Sequence, residues 1–538
     1  MNGSRIISGF EPLHNSLGKR PDHAATGWMP SVPAETQLRI RSGMRWTVWL
    51  AALAVPFSYG SKILLARVSP EAIATYGLLL VYIGVVSCVL YFGGDAVAIK
   101  FLPELGPEKR LSFLLSYFLV ICATMLVWLG LAALFPESLH YLFGPDVGSG
   151  FLLSVLILAP IPILFSLIQA VLKANLDFRH AQFLARLITI GSFLVYIFLF
   201  LFRRPWLARY AVEIVWFVYL TLTTLGIAAG LRWLRRSPFL RQPGERLRVR
   251  FFLPRGFWTF ALGTQSISLI SLLQRVDFVL VLNFGGMKIL GEYVAITALA
   301  LTIPVVNGYF LQTLLPSLTN LFAADNRQGA GEAFRAHMRL LLLVVAAGTC
   351  GLIFLAAPLV AIFGPLYKGL ALPVLLLTAL VGLASPGSSG GTLLSAVGKP
   401  HEGAWVSLFQ ISLNAGLFLL LWPHFRLLGA VLGLGLSQLA GSILVFLIAR
   451  LSVPFRTGLL RDWARLAFVI LLATAVAWYW RPQSWLAGLA GCVVSSVLFL
   501  LVGNYRWSDC RGLWSWVVPS PESVWRKGRD SLAGLGRN

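Results

Sequence analysis

Residues 111–135 read LSFLLSYFLVICATMLVWLGLAALF. No position in this run carries a charge, and most are strongly apolar. Crossing the hydrocarbon core of a bilayer takes about 20 such residues. Hydrocarbon offers no hydrogen-bonding partner to an open backbone, so the run must satisfy its own amides as a helix. Strands of a membrane barrel would need only about ten residues each. Two further stretches, 340–363 and 427–449, are equally free of charge.

Outward from these three runs the chain keeps the same character. Of 538 residues, 57% are hydrophobic and 12% charged, where soluble domains carry about 25% charge. Apolar windows predict fourteen spans, at 44–66, 74–97, 111–135, 151–172, 183–202, 210–231, 256–284, 289–316, 340–363, 369–397, 403–423, 427–449, 463–480 and 484–503. The expected fold class is therefore all-α and polytopic. No loop between spans exceeds about 25 residues, so no soluble catalytic domain is expected, and the function belongs to the membrane.

The net charge of +23 orients the bundle. With the N-terminus placed in the cytoplasm, the tails, the loops on that side and their span edges hold 34 of the 44 Lys and Arg; the opposite side holds nine, and Arg275 lies within a span. The richest loop is 232–255. By the positive-inside rule both termini face the cytoplasm. Because the basic residues sit between apolar runs rather than along one solvated face, nucleic acid is not an expected partner. The five cysteines form no CxxC and the seven histidines form no HExxH, so neither a metal site nor a cofactor is expected. There is no Walker motif to couple ATP directly. Many of the 18 tryptophans sit near span ends, as an aromatic belt does.

The chain also resembles itself at an offset of about 220 residues. Ser69-Pro70 leads to Tyr76 after span one, and Gly286-Met287 leads to Tyr293 after span seven. Leu142-Phe143-Gly144-Pro145 follows span three, and Ile362-Phe363-Gly364-Pro365 follows span nine. Ala170-Val171-Leu172-Lys173 follows span four, and Ala396-Val397-Gly398-Lys399 follows span ten. Six spans per half is an even number, so the halves share one orientation, the design of transporters that alternate access around a central site. The division read from this is a polar tail over 1–43, an N-terminal lobe of six spans over 44–231, a basic linker over 232–255, a C-terminal lobe of six spans over 256–451, two extra spans over 452–503 and a cytoplasmic tail over 504–538.

At these residues the chain resembles a known family. Leu64-Leu65-Ala66-Arg67-Val68-Ser69-Pro70-Glu71 with Tyr76-Gly77, Gly94-Asp95-Ala96-Val97 leading to Lys100-Phe101-Leu102, Asp277 through Gly291-Glu292-Tyr293, Leu315-Pro316-Ser317-Leu318, Phe363-Gly364-Pro365-Leu366-Tyr367 and Ser395 to Pro400 stand in the order found in polysaccharide (O-antigen type) flippases. That family belongs to the multidrug/oligosaccharidyl-lipid/polysaccharide exporter superfamily. The resemblance covers about residues 44 to 451. It implies a two-lobed bundle with a central cavity, a lipid-linked oligosaccharide on polyprenyl pyrophosphate as substrate, and a bacterial inner (cytoplasmic) membrane location. It implies surrounding membrane lipid, a polysaccharide polymerase and glycosyltransferases as partners, and a transporter rather than an enzyme. The competing readings are a cation-coupled multidrug exporter and a peptidoglycan lipid flippase of the same architecture. A membrane-embedded polyprenyl glycosyltransferase or ligase stands further off, because the outer loops are short.

Ionisable residues inside spans are costly and mark function. A dianionic pyrophosphate calls for cations, and Lys62 in span one and Arg275 in span seven are candidates to face a shared cavity, the lysine as a point charge and the arginine as a fork. Gln274, Asn307 and Gln312 are candidate hydrogen-bonding partners for sugar hydroxyls. Other span amides, such as Gln265, Gln410, Asn414 and Gln438, are expected to join helices to one another. Asp277 lies two residues from Arg275 and so off its face; it is a candidate to pair with Lys62 or to bind a coupling proton or sodium. Asp95 is a second coupling candidate, with helix termination or a pair with Lys100 as its plainer role.

Overall fold

The computed structural model describes residues 53–134, 157–202, 210–236, 250–323, 327–452 and 459–503, apart from 176, 398, 481 and 483, together with Leu50, Pro205 and Trp206. The expected tails, the middle of the basic linker, the start of span one and part of span four lie outside these residues. Among the described residues there is no strand.

The first half comprises α1 (53–68), α2 (Pro70–Leu90), α3 (Gly94–Glu104), α4 (Pro107–Leu134), α5 (Pro160–Ala174), α6 (Phe178–Phe202) and α7 (Ala211–Arg236). The second comprises α8 (Phe257–Leu273), α9 (Val276–Ala300), α10 (Thr302–Ala323), α11 (Arg327–Phe354), α12 (Ala356–Phe363), a 3-10 turn (Pro365–Leu370), α13 (Ala371–Ala384), α14 (Gly387–Ala396), α15 (Pro400–Phe425) and α16 (Leu427–Ser452). The last pair is α17 (Leu459–Trp480) and α18 (Trp485–Gly503). The fold is all-α and polytopic.

Ten helices among the described residues are long and apolar enough to cross a membrane, and two more apolar helices, Pro70–Val81 and Pro160–Ala174, are shorter. Fourteen were expected; spans one and four lie partly outside the described residues, and the others differ from expectation in where their helices stop. Several apolar runs are interrupted helices, because hydropathy registers what a segment is made of and not where its hydrogen bonds stop. Proline removes the amide that would bond to the carbonyl four residues back, and its ring crowds that carbonyl. α9 ends at Ala300, four residues before Pro304, and α11 ends at Phe354, four before Pro358. Span ten divides into α13 and α14 at Ser385-Pro386. Expected span seven stops at Leu273 and restarts at Val276, and α9 itself bends at Gly286, whose φ of 72° is open to glycine at little cost. That bend and the turn at Ser69 occupy matching places in the internal repeat.

The two halves meet most extensively where α2 crosses α9. Leu78, Leu290, Tyr293 and Ile296 are buried there. Glycines let the backbones close in: a Cβ on Gly291 would lie 2.1 Å from the Pro70 carbonyl oxygen, and one on Gly77 would lie 2.6 Å from the Val294 side chain. Arg67, at the end of α1, adds a hydrogen bond from Nε to the Ile362 carbonyl of α12 at 2.7 Å. Elsewhere, α8 packs on α2 and α3, and Phe101, Phe113, Tyr117 and Phe257 stack there edge to face and face to face. α17 and α18 pack on α11, with Gly488 and Gly491 against Phe354.

Candidate functional cavity

A cavity of about 800 Å³ opens between α1, α2, α6 and the α9–α10 junction. Its walls carry Lys62 from α1, Arg186 from α6, and Arg275 from the break between α8 and α9. The structure therefore brings Lys62 and Arg275 to one cavity. Arg275 is not within a continuous span. It occupies the N-cap position of α9, with φ −98° and ψ 12°, where the chain has left helical geometry. Its guanidinium carbon lies 5.8 Å from the centre of the Phe278 ring, and the Lys62 ammonium lies 5.5 Å from that of Tyr59. Both cations thus rest beside aromatic rings.

Arg186 was not singled out from the sequence. The signal was there: an arginine one turn inside the apolar run 183–202 carries a cost of the same kind as Arg275, smaller near the span edge, unless it faces something polar. Tyr59 is another contributor missed by residue type. Its hydroxyl donates to the Ala298 carbonyl at 2.8 Å and also meets the Thr302 hydroxyl, so α1 grips the chain where Pro304 has interrupted it.

Asp95 is the carboxylate on this cavity's described wall. The expected pairing with Lys100 is not what forms. Asp95 Oδ2 accepts from Lys173 Nζ of α5 at 3.0 Å, while the Lys100 ammonium sits 4.2 Å from the centre of the Phe260 ring. The reason is tertiary: α3 packs along α5, and Lys173, at the end of α5, is brought to Asp95. With Asp95 engaged by Lys173, Lys62 and Arg275 face a common space in which their like charges repel across a partly apolar wall. A multiply charged anion relieves that repulsion.

A second cavity, of about 520 Å³, lies wholly among helices of the C-terminal half and shares Arg275 with the first. Gln274, Asp277, Asn307, Gln410, Asn414 and Gln438 line it. Asp277 is not a partner of Lys62. It is 2% exposed and accepts from the Tyr293 hydroxyl at 2.5 Å, across the bend of its own helix. The bend at Gly286 is what returns Tyr293 to Asp277. Asp277 Oδ1 is buried without a hydrogen-bonding partner.

Asn307 turns its amide nitrogen to the Ser385 carbonyl, 2.8 Å away, and to the Ser388 hydroxyl, bracing the break between α13 and α14. A carbonyl only accepts, so this fixes the amide's orientation and leaves Oδ1 directed elsewhere, buried and without a partner. Asn414 Oδ1 is buried in the same condition. Gln274 is exposed beside Arg275. The side chain of Gln312 lies outside what the structure describes. Gln410, Asn414 and Gln438, expected to tie helices together, line this second cavity. Gln265 joins helices as expected: its Oε1 accepts from the Gly93 amide at 3.0 Å, at the left-handed turn between α2 and α3. Among the described residues no group of three or more His, Cys, Asp or Glu is placed to hold a metal.

No protein-family model matches the sequence, and no curated protein matches it at the sequence level. Its fold matches solved structures over most of its length. A lipid II flippase, MurJ, in an inward closed conformation aligns with a TM-score of 0.66 at 13% identity, covering 85% of this chain and 98% of that one. An inward-facing multidrug resistance transporter of the MATE family, from the MOP superfamily, aligns at 0.63 and 14%, covering 74% and 94%. A MOP superfamily transporter from Pyrococcus furiosus, described as having a binding pocket of reversed polarity, aligns at 0.53 and 14%, covering 78% and 95%. The chain has the fold shared by these transporters.

Proposed function

We propose that this chain is a flippase that moves a polyprenyl-pyrophosphate-linked oligosaccharide from the cytoplasmic to the periplasmic leaflet by alternating access between its two halves. The observation that carries this reading is the junction of the two cavities at Arg275. One cavity carries Lys62, Arg186 and Arg275; the other carries Gln274, Asn307, Gln410, Asn414 and Gln438. A lipid-linked sugar has the same division, with a dianion beside a glycan rich in hydroxyls. Arginine suits the phosphates as a two-pronged donor and lysine as a point charge. The amides suit hydroxyls, and the apolar tail remains in lipid. Asp277 takes the coupling ion in this scheme, held ready by Tyr293. Asp95, engaged by Lys173, steadies the cationic wall.

The location that goes with this function is a bacterial inner membrane with both termini cytoplasmic, and the pathway partners are glycosyltransferases and a polymerase. A peptidoglycan lipid flippase is the second reading, favoured by the fold match to the lipid II flippase, and it uses the same head-group chemistry. Cations around the cavity speak against a cation-coupled multidrug exporter, which would favour acidic residues there.

The test is transport in cells lacking the gene. Wild type should restore surface glycan, while Lys62→Ala, Arg186→Ala and Arg275→Ala should strand lipid-linked glycan on the cytoplasmic side at unchanged membrane abundance. Arg275→Lys should restore little, because it keeps the charge and loses the fork. Full export by the three alanine variants would overturn the proposal, and rescue of a lipid II export defect alone would move it to the second reading.

A further inference from the structure

Away from both cavities, an opening of about 500 Å³ lies where the end of α11 and α12 meet the 3-10 turn, the start of α13 and the end of α17. Its origin is in the sequence. Pro358 stops α11 at Phe354, and the residues that follow around the opening are small: Ala357, Ala361, Gly369 and Ala371, faced by Ala477 of α17. Side chains of ordinary size would fill the space. A Cβ added at Gly369 would meet nothing within 4 Å.

Two residues give the slot a polar mouth. Lys368 is exposed at its edge, and among the described residues no carboxylate pairs with it. Trp478 is 47% exposed on the slot's lining, in the last turn of its helix. An apolar slot, a cation at its mouth and a tryptophan at a helix end form the pattern of a side facing the membrane–water interface. The unpaired ammonium seeks a negative group, and the slot seeks a flexible hydrocarbon.

We propose that this slot binds one anionic phospholipid of the surrounding bilayer, with an acyl chain between α11–α12 and α17 and the headgroup phosphate on Lys368. The site is independent of the transported substrate. Its position ties the last helix pair to the C-terminal half through lipid as well as through the glycine contacts on Phe354.

The full-length protein in detergent, titrated with phosphatidylglycerol or phosphatidylcholine of matched chains and read by native mass spectrometry, tests this. Wild type should retain one phosphatidylglycerol about fivefold more strongly than phosphatidylcholine, the worth of one basic side chain at an anionic surface. Lys368→Ala should bring the two lipids level, and Lys368→Arg should keep the preference. Gly369→Leu should lower retention of both lipids. Retention of the extra phosphatidylglycerol by Lys368→Ala, or of both lipids by Gly369→Leu, would overturn the site, as would equal binding of the two lipids to wild type.

Discussion

Replacing Gly291 by alanine puts one methyl group where two helices already touch. The added Cβ would sit 2.1 Å from the Pro70 carbonyl oxygen, 2.8 Å from its carbonyl carbon and 3.1 Å from its Cα. All three are backbone atoms, so no rotamer change relieves the overlap. Ordinary van der Waals contact begins at 3.4 Å, so α2 and α9 must part by about 1.3 Å. A gap of 0.5–1 Å already forfeits a quarter to a half of each contact's attraction. The loss is shared by Leu78, Leu290, Tyr293 and Ile296, all buried at this crossing. The expected destabilisation is about 3 kcal/mol, the upper part of the usual range for overpacking. Thermal unfolding of purified protein, followed by tryptophan fluorescence, should show a midpoint lowered by several degrees. Gly77→Ala, which meets side-chain atoms of Val294 and Phe278 rather than backbone, should show less. Gly416→Ala in α15, where a Cβ meets nothing within 4 Å, should be neutral or slightly stabilising. A wild-type midpoint for Gly291→Ala, or an equal fall for Gly416→Ala, would refute the packing argument.

Two further substitutions probe single hydrogen bonds. Tyr293→Phe removes the hydroxyl donor from the buried Asp277 carboxyl and should cost about 1–3 kcal/mol, read from the denaturation midpoint, with Asp277→Asn on the same background restoring part of the loss. Gln265→Ala deprives the Gly93 amide of its acceptor in a buried turn; a loss of about 1–3 kcal/mol is expected, measured in the same way, and an unchanged midpoint would mean that water replaces the side chain.

The function rests on which residues meet, and these were unequally legible in the order of residues. Lys62 and Arg275 stood out because a charge in an apolar run is costly wherever the run folds. Arg186 obeyed the same rule but lay near a span edge, where the cost is smaller. The partners of Asp95 and Asp277 were not legible. Lys173 lies 78 residues from Asp95, and only the packing of α3 along α5 joins them. Tyr293 reaches Asp277 through a reversal at Gly286; the gap between expected spans seven and eight marks that turn, but not the side chains it brings together.

The sequence by itself determined the solvent and the element. So little charge over so many residues requires hydrocarbon, and hydrocarbon requires helices that satisfy their own backbones. It also carried the duplication and the prolines at which helices stop, since both are properties of residue order. The tertiary structure decided where the interrupted ends point, how closely glycine lets α2 approach α9, and which polar side chains turn to one cavity. Those depend on contacts between residues hundreds of positions apart, and such contacts are set by packing rather than by local preference.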